Sequence, residues 1–188
     1  MTPEKLLIKI SKILQDLKIP YIVTGGFAVV IWGKPRFTAD IDIVIKLTGK
    51  NIKLLAKHLL AIDKNVYADE ESMHNALIHK SEFNFIHPDT GIKVDFFVRG
   101  DNPYDKLEMK RVVLRDIYGQ KVFFISPEDL ILSKLIWFKE GNSQKQREDI
   151  KSVLRNTKIK LDFEYIKKWA RKQGTDKILE KILKEIKK

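Results

Sequence analysis

Residues 21–45 read YIVTGGFAVVIWGKPRFTADIDIVI, and this stretch is the most informative part of the chain about its fold. Residues 21–24 predict a short buried strand, which Gly25-Gly26 ends. The apolar residues 27–32 have a length that suits a helix, and the β-branched alternation of residues 40–45 predicts a second strand. The stretch therefore predicts a strand–helix–strand unit within an α/β front portion of the chain.

Two carboxylates lie two residues apart at the start of the second predicted strand. In a strand, Asp40 and Asp42 share one face at a distance of about 6.5–7 Å, and they repel each other unless a cation lies between them. Hard oxygen ligands at this spacing suit Mg²⁺, which usually completes its shell with water and substrate phosphates. The alternative is the solvated face of a half-buried edge strand.

The glycine pair lies between the first strand and the helix. Gly25 and Gly26 have no side chain that blocks approach, and we expect their backbone N–H groups to be free at a helix N-terminus, which makes a phosphate site. A nucleoside triphosphate could bridge this site and the carboxylate pair. Arg36 and Thr38 either bind phosphate, position the aspartate loop or have an ordinary loop role.

A third candidate carboxylate interrupts the apolar segment 92–98, which reads IKVDFFV. Burial of Asp95 in such a strand is costly unless the side chain is paired or bound to a metal ion. The four histidines of the chain form no set with metal-ligand spacing, so a histidine metal site is not expected.

The remaining pattern predicts a core over residues 1–125 and a helical region over residues 126–188. Ser126-Pro127 starts the helical region, which is interrupted near Gly141, near residues 156–161 and at Gly174. In the front portion, helices are predicted over residues 3–17 and 51–62, and strands over 83–86, 92–98, 112–117 and 121–125.

Several residues of the helical region are open to two interpretations. Lys134 could reach a triphosphate or could face the solvent, and Arg147 and Asp149 could form an ion pair or contact a nucleotide. Trp137, Phe138 and Trp169 fall on amphipathic helices and are predicted to pack in the core.

Composition narrows the class of protein. The chain has 188 residues, no cysteine and a net charge of +11, and the lack of cysteine excludes disulfide scaffolds, thiol catalysis and cysteine zinc sites. No apolar run is long enough for a membrane span, and we expect a cytoplasmic protein. The excess of positive charge is concentrated in residues 155–188, which contain 12 basic and 5 acidic side chains. That segment could contact RNA or could be an ordinary lysine-rich surface.

These motifs together resemble a known family. The order Gly25-Gly26, thirteen residues, Asp40-x-Asp42 and a later lone Asp95 resembles the nucleotidyltransferase superfamily that includes DNA polymerase β. The Arg-x-Thr-x-Asp-x-Asp form, residues 36–42, is most similar to the minimal, abortive-infection-type and aminoglycoside-type members. The resemblance covers residues 21–98 and extends loosely to 147–149.

The resemblance implies an α+β fold, a mixed β-sheet core flanked by helices with a C-terminal helical segment. It also implies a two-metal enzyme that uses Mg²⁺, with Mn²⁺ as a substitute, to transfer NMP, AMP in the first instance, from an NTP to a hydroxyl group and to release pyrophosphate. Asp40 and Asp42 would hold both ions, and Asp95 would bind the catalytic ion and could accept the hydroxyl proton. Candidate nucleotide-binding residues are Gly25, Gly26, Arg36, Thr38 and Lys134, with the glycines on the β/γ phosphates.

Two alternatives remain open at the level of the sequence. The chain could be a non-catalytic nucleotide- or nucleic-acid-binding protein of an antitoxin-like or regulatory kind. It could also be a toxin-type enzyme whose acceptor is tRNA. The acceptor is therefore unidentified and could be a protein, an RNA or a small molecule.

Overall fold

A mixed β-sheet forms the centre of the fold. The structure is a computed structural model and describes residues 1–63 and 68–186. In these residues the elements follow in the order α1 (Pro3–Asp16), β1 (Tyr21–Val23), α2 (Gly25–Trp32), β2 (Ile41–Ile45), α3 (Gly49–Leu60), α4 (Glu70–His79), β3 (Glu82–Ile86), β4 (Lys93–Val98), α5 (Pro103–Lys110), β5 (Val113–Ile117), β6 (Gln120–Phe124), α6 (Pro127–Gly141), α7 (Gln144–Leu154), α8 (Phe163–Gln173) and α9 (Asp176–Ile186).

The strand order in the sheet is β3-β4-β2-β1-β6-β5. β2 pairs with β4 and β1 pairs with β6 in the parallel direction, whereas β1–β2, β3–β4 and β5–β6 are antiparallel. The predicted α+β class with a mixed sheet is confirmed. None of the described helices is long and apolar enough to cross a membrane.

Contacts between residues divide the chain into two compact units. One consists of Met1–Phe27 and Phe37–Ile125 and contains the whole sheet. The other consists of Ala28–Arg36 and Ser126–Lys188 and contains α6 to α9. The division into 1–125 and 126–188 that the sequence suggests stays a prediction beside this grouping.

Alternation along the strands builds the core of the first unit. On β2, Ile41, Ile43 and Ile45 are completely buried, and the intervening Asp42 is half-buried on the other face. On β4 the buried Val94 and Phe96 alternate with half-buried residues in the same way. This period of two places Asp42 and Asp95 on one face of the sheet, where Val44 of β2 is also buried.

Two helices of the first unit were absent from the sequence prediction. α4 begins after Asp69, whose carboxylate accepts hydrogen bonds from the backbone N–H groups of Glu71 and Ser72. α5 begins after Asn102, which caps the helix through Asp105 N, and Pro103 occupies its first position. Both starts carry ordinary capping signals, but these helices span only 10 and 8 residues, so their apolar pattern is short.

The second unit confirms the predicted helix interruptions. α6 is followed by Asn142 and α8 by Gly174, and both residues have the left-handed conformation that ends many helices. The prediction that Trp137 packs in the core is wrong, because its side chain is 49% exposed. Trp169 is half-buried, packs against Tyr165 and lies 4.5 Å below the Lys172 ammonium group.

Candidate active site

Two of the three predicted carboxylates lie side by side in the sheet. Asp42 on β2 and Asp95 on β4 are directly paired positions of the parallel β2–β4 ladder. Both side chains alternate with completely buried neighbours, so they point to the same face of the sheet. The Asp95 side chain is 14% exposed, which limits its contact with water.

Asp40 lies outside the strand in which it was predicted. β2 begins at Ile41, and Asp40 is an exposed residue of the preceding loop. The backbone carbonyl of Asp40 accepts a hydrogen bond from Thr38 Oγ1 at 3.3 Å. This hydrogen bond is compatible with the predicted role of Thr38 in positioning the aspartate loop, which stays a prediction.

The glycine pair at the start of α2 is required by close packing. Gly25 has a φ of +59°, and a Cβ atom there would lie 1.7 Å from Asp42 Oδ2. A Cβ atom on Gly26 would lie 2.3 Å from Thr38 Oγ1. The side chains of Asp42 and Thr38 thus occupy the space that the two glycines leave open.

This packing corrects the prediction of free backbone donors. Gly26 N–H donates to Asp42 Oδ2 over 3.4 Å, at the long and weak end of the hydrogen-bond range. A carboxylate at a helix N-terminus is favoured by the dipole of the helix. The same dipole would favour a phosphate, which would have to share this helix start with the Asp42 carboxylate.

Asp95 has a cationic neighbour that was not predicted from the sequence. The distance from Lys93 Nζ to Asp95 Oδ1 is 2.7 Å, and the Lys93 side chain is 39% exposed. The hydrogen bond to Asp95 raises the pKa of Lys93, burial opposes this, and the negative charges of Asp95, Glu82 and Asp40 also raise it. Lys93 precedes Asp95 by two residues on the same strand, so their shared face was visible in the sequence.

The donor chemistry of these residues fits Mg²⁺, although their arrangement leaves Asp95 paired with Lys93. Carboxylate oxygens of Asp42 and Asp95 on neighbouring strands, with Asp40 in the adjoining loop, are the hard ligands that Mg²⁺ takes. Within the described residues, however, no three His, Asp or Glu side chains are grouped closely enough to hold a metal ion.

Arg36 and Lys134, two further predicted site residues, meet in the second unit on Asp149. Arg36 Nε lies 2.9 Å from Asp149 Oδ1 and its Nη2 lies 3.0 Å from Oδ2, which is the two-pronged geometry of a strong pair. Lys134 Nζ lies 3.0 Å from the same Oδ2. With Lys134 only 6% exposed, the alternative of a solvent-facing lysine is wrong.

The Asp149 cluster, defined as Arg36, Lys134 and Asp149, is charge-paired around a buried carboxylate. Burial raises the pKa of Asp149, but the hydrogen bond from Arg36 and the charge and hydrogen bond of Lys134 outweigh it, so this pKa ends below its ordinary value. Arg147 does not pair with Asp149 and instead contacts Glu185.

A comparison with protein families decides the membership of the chain. The family model of the nucleotidyl transferase AbiEii toxin of type IV toxin–antitoxin systems matches residues 11–152. The chain belongs to this AbiEii family. The resemblance to the abortive-infection-type nucleotidyltransferases is therefore confirmed over most of the sequence.

Solved structures share the fold of this AbiEii-family protein. The antibiotic-resistance factor ANT(2'')-Ia, in complex with adenylyl-2''-tobramycin, has a TM-score of 0.60 at 16% identity, over 92% of this chain and 97% of its own. The lincosamide antibiotic adenylyltransferase LnuA, bound to lincomycin, has a TM-score of 0.57 at 19% identity, over 83% and 99%.

A third relative comes from Paracoccidioides brasiliensis. Its antigenic nucleotidyltransferase-like protein has a TM-score of 0.52 at 20% identity, over 80% of this chain and 73% of its own. At such identities these structures show the fold alone. No curated protein matches the AbiEii-family chain significantly in sequence.

Proposed function

We propose that this AbiEii-family protein transfers a nucleoside monophosphate, AMP in the first instance, from an NTP to a hydroxyl group of an acceptor and releases pyrophosphate. Membership of a nucleotidyl transferase family supports the transfer in general. The observation that carries the proposal is the pairing of Asp42 with Asp95 on one face of the sheet, with Asp42 against the first turn of α2.

In this proposal Asp40, Asp42 and Asp95 hold Mg²⁺, as two ions, with Mn²⁺ as a substitute. When bound, the metal supplies charge stabilisation to the attacking and leaving oxygens of the displacement at the α-phosphate. Asp95 is also the group on the chain that accepts the proton of the attacking hydroxyl. The like charges of Asp42 and Asp95 at paired positions favour a cation beside them, a place that the Lys93 ammonium group takes on the chain and that a metal ion would take in this proposal.

The first turn of α2 is the proposed site of the β/γ phosphates. Its amide groups, with the dipole of the helix, suit an anion, and no side chain extends from Gly25 or Gly26. Phosphate binding there requires the Gly26 amide to exchange its contact with Asp42 for one with a phosphate oxygen. Because that contact spans 3.4 Å, the exchange gives up little.

The other proposed nucleotide-binding residues are Thr38, Arg36 and Lys134. Thr38 acts through the aspartate loop, whose Asp40 carbonyl it binds. Arg36 and Lys134 share Asp149, and Arg36 keeps a quarter of its side chain exposed for a further contact. Lys134 is buried, so its contribution is to the charge of the cluster more than to a direct contact.

The acceptor stays open among a protein, an RNA and a small molecule. Two relatives of the same fold are complexes with antibiotic molecules, which illustrates small acceptors on this scaffold. The positive segment 155–188 favours RNA, although Lys187 and Lys188 lie outside the described residues. RNA binding that weakens steeply with salt would support an RNA acceptor. We propose a cytoplasmic location, which is compatible with all three kinds of acceptor.

The proposal is tested by incubating the purified chain with radiolabelled ATP, the other NTPs, Mg²⁺ and cell extract. We expect label transfer to one extract component, equimolar pyrophosphate release and loss of both with EDTA. Absence of pyrophosphate release with every NTP, both in Mg²⁺ and in Mn²⁺, would overturn the enzymatic function.

A non-catalytic nucleotide-binding protein is the second candidate, and the Lys93–Asp95 contact favours it. A carboxylate that is held by a lysine needs no metal ion. Thermal unfolding separates the two functions. If ATP with Mg²⁺ raises Tm while no pyrophosphate is released, the binding function is favoured over transfer.

A further inference from the structure

Lys93 holds a carboxylate that the proposed function assigns to a metal ion. Its ammonium group lies 2.7 Å from Asp95 Oδ1, within a charge-assisted hydrogen bond. The two residues occupy alternate positions on β4, so their side chains leave the sheet on the same face. The contact is therefore a consequence of strand geometry rather than of a chance approach between distant segments.

The surroundings of Lys93 are predominantly acidic. Asp42 is the register partner of Asp95 on the neighbouring strand, and Asn84 is its partner on the other side. The negative charges of Asp95, Glu82 and Asp40 all favour the charged form of Lys93. The ammonium group is thus the cation that reduces repulsion between these carboxylates on the chain itself.

An ammonium group and a divalent ion compete for the same oxygen. Asp95 is 14% exposed, which leaves limited room for a second cation at its carboxylate while Lys93 remains there. The Lys93 side chain is 39% exposed and has a flexible four-carbon stem, so it has a route towards solvent. Displacement of the ammonium group would release Asp95 without a change in the sheet.

We propose that Lys93 is a positioning residue that occupies Asp95 when no metal is bound and must be displaced for Asp95 to ligate a metal ion. The inference rests on the proposed function, because it assumes that Asp95 belongs to a metal site. In this inference the Lys93 ammonium group competes with the metal ion for Asp95. The competition weakens metal binding and so raises the metal concentration at which Asp95 becomes a ligand.

The direct test measures binding of Mn²⁺ to the full chain without nucleotide, from the free Mn²⁺ signal in electron paramagnetic resonance. We expect Lys93→Met to lower the Kd for Mn²⁺ roughly three- to fivefold, close to the most that an ion pair worth less than about 1 kcal/mol can contribute. Lys93→Arg, which keeps the charge, should stay within about twofold of wild type.

Lys46→Met is the matched control. Lys46 directly follows β2, and its Nζ lies 2.9 Å from Oδ1 of Asp101, an aspartate outside the proposed metal set. This variant removes the same charge and an ion pair of nearly the same length but with a more exposed carboxylate, so its Kd should also stay within about twofold of wild type. An equal gain in Lys46→Met and Lys93→Met would overturn the inference, because net charge would then explain both.

Thermal unfolding gives a second readout. The rise in Tm on adding Mg²⁺ should be larger in Lys93→Met than in wild type, and Lys93→Gln provides the same comparison if Lys93→Met folds poorly. An unchanged Kd and an unchanged Tm rise in the Lys93 variants, with wild type still binding Mn²⁺, would overturn the inference alone. If neither wild type nor the Lys93 variants bind Mn²⁺, the proposed metal site fails with it.

Discussion

Asp95 in the first unit and Asp149 in the second are both held by lysine, and they differ in what surrounds the pair. Asp149 is 4% exposed and is bound by two cations, Lys134 at 3.0 Å and the fork of Arg36. Asp95 is 14% exposed and is bound by Lys93, which is 39% exposed.

Because of this difference, the buried Asp149 cluster keeps its ion pairs, whereas Asp95 can exchange its lysine for another cation. At Asp149, two positive charges surround one negative charge in the interior, and removal of the carboxylate leaves uncompensated buried charge. At Asp95, one lysine lies among several carboxylates near the surface, where loss of an ion pair costs little. We infer that the Asp149 cluster serves stability and that the Asp95 pair is available for exchange with a metal ion.

The largest expected effect comes from removing the carboxylate of the Asp149 cluster. Asp149→Ala leaves Lys134 and Arg36 without their shared carboxylate, and we expect a loss of about 3 kcal/mol in the free energy of unfolding. Asp95→Ala, its counterpart, should cost less than about 1 kcal/mol. Urea unfolding of both variants checks the comparison, and equal losses would contradict it.

A second substitution tests how closely the Asp42 side chain packs against Gly25. Gly25→Ala forces a Cβ atom into the Asp42 side chain at a backbone with positive φ, so we expect a loss of roughly 2–3 kcal/mol. Gly91→Ala is the control, because Gly91 has a φ of +66° and a Cβ atom there would meet no atom within 4 Å; strain alone should cost about 1 kcal/mol. If the two variants unfold at the same urea concentration, Asp42 does not constrain Gly25.

Low pH should reduce the contribution of the Asp149 cluster to the free energy of unfolding. Because the folded state lowers the pKa of Asp149 below 3.8, the stabilisation is present above that pH and is lost as the pH falls through the folded pKa. The stability difference between wild type and Asp149→Asn should therefore narrow from pH 5 to pH 2. Urea titrations along this pH range measure it, and a constant difference would show that Asp149 does not titrate with folding.

The smallest expected effect on stability comes from removing the lysine of the Lys93–Asp95 pair. Lys93→Met should change the free energy of unfolding by less than about 1 kcal/mol without metal, because the pair is partly exposed. Urea unfolding in EDTA is the measurement. A loss as large as that of Asp149→Ala would show that Lys93 is structural and would remove the contrast between the two regions.

Local pattern was sufficient to predict much of the fold and the order of the candidate site. Gly25-Gly26 and Asp42 fell at the helix start and strand that their residue types indicate, and the interruptions at Gly141 and Gly174 followed from turn chemistry. α4 and α5 were missed because a short helix provides little periodicity.

The side-chain partners were harder to predict than the elements. The position of Lys93 beside Asp95 follows from the period of a strand, but the pattern does not say which way a flexible lysine turns. The pairing of Arg36 with Asp149 joins positions 113 residues apart, which no local pattern encodes. The contact of Asp42 with Gly25 likewise depends on how β2 packs against the start of α2.

The role of the paired carboxylates in transfer is best tested by the rate of NMP transfer in Asp42→Asn and Asp95→Asn, measured beside wild type and Asp101→Asn. Asp101 pairs with Lys46 on the surface and serves as the matched control. We expect Asp42→Asn and Asp95→Asn to lose about a hundred- to a thousand-fold in rate while their Tm stays near that of wild type, and Asp101→Asn to remain fully active. Wild-type turnover by a folded Asp42→Asn would contradict the role of the paired carboxylates.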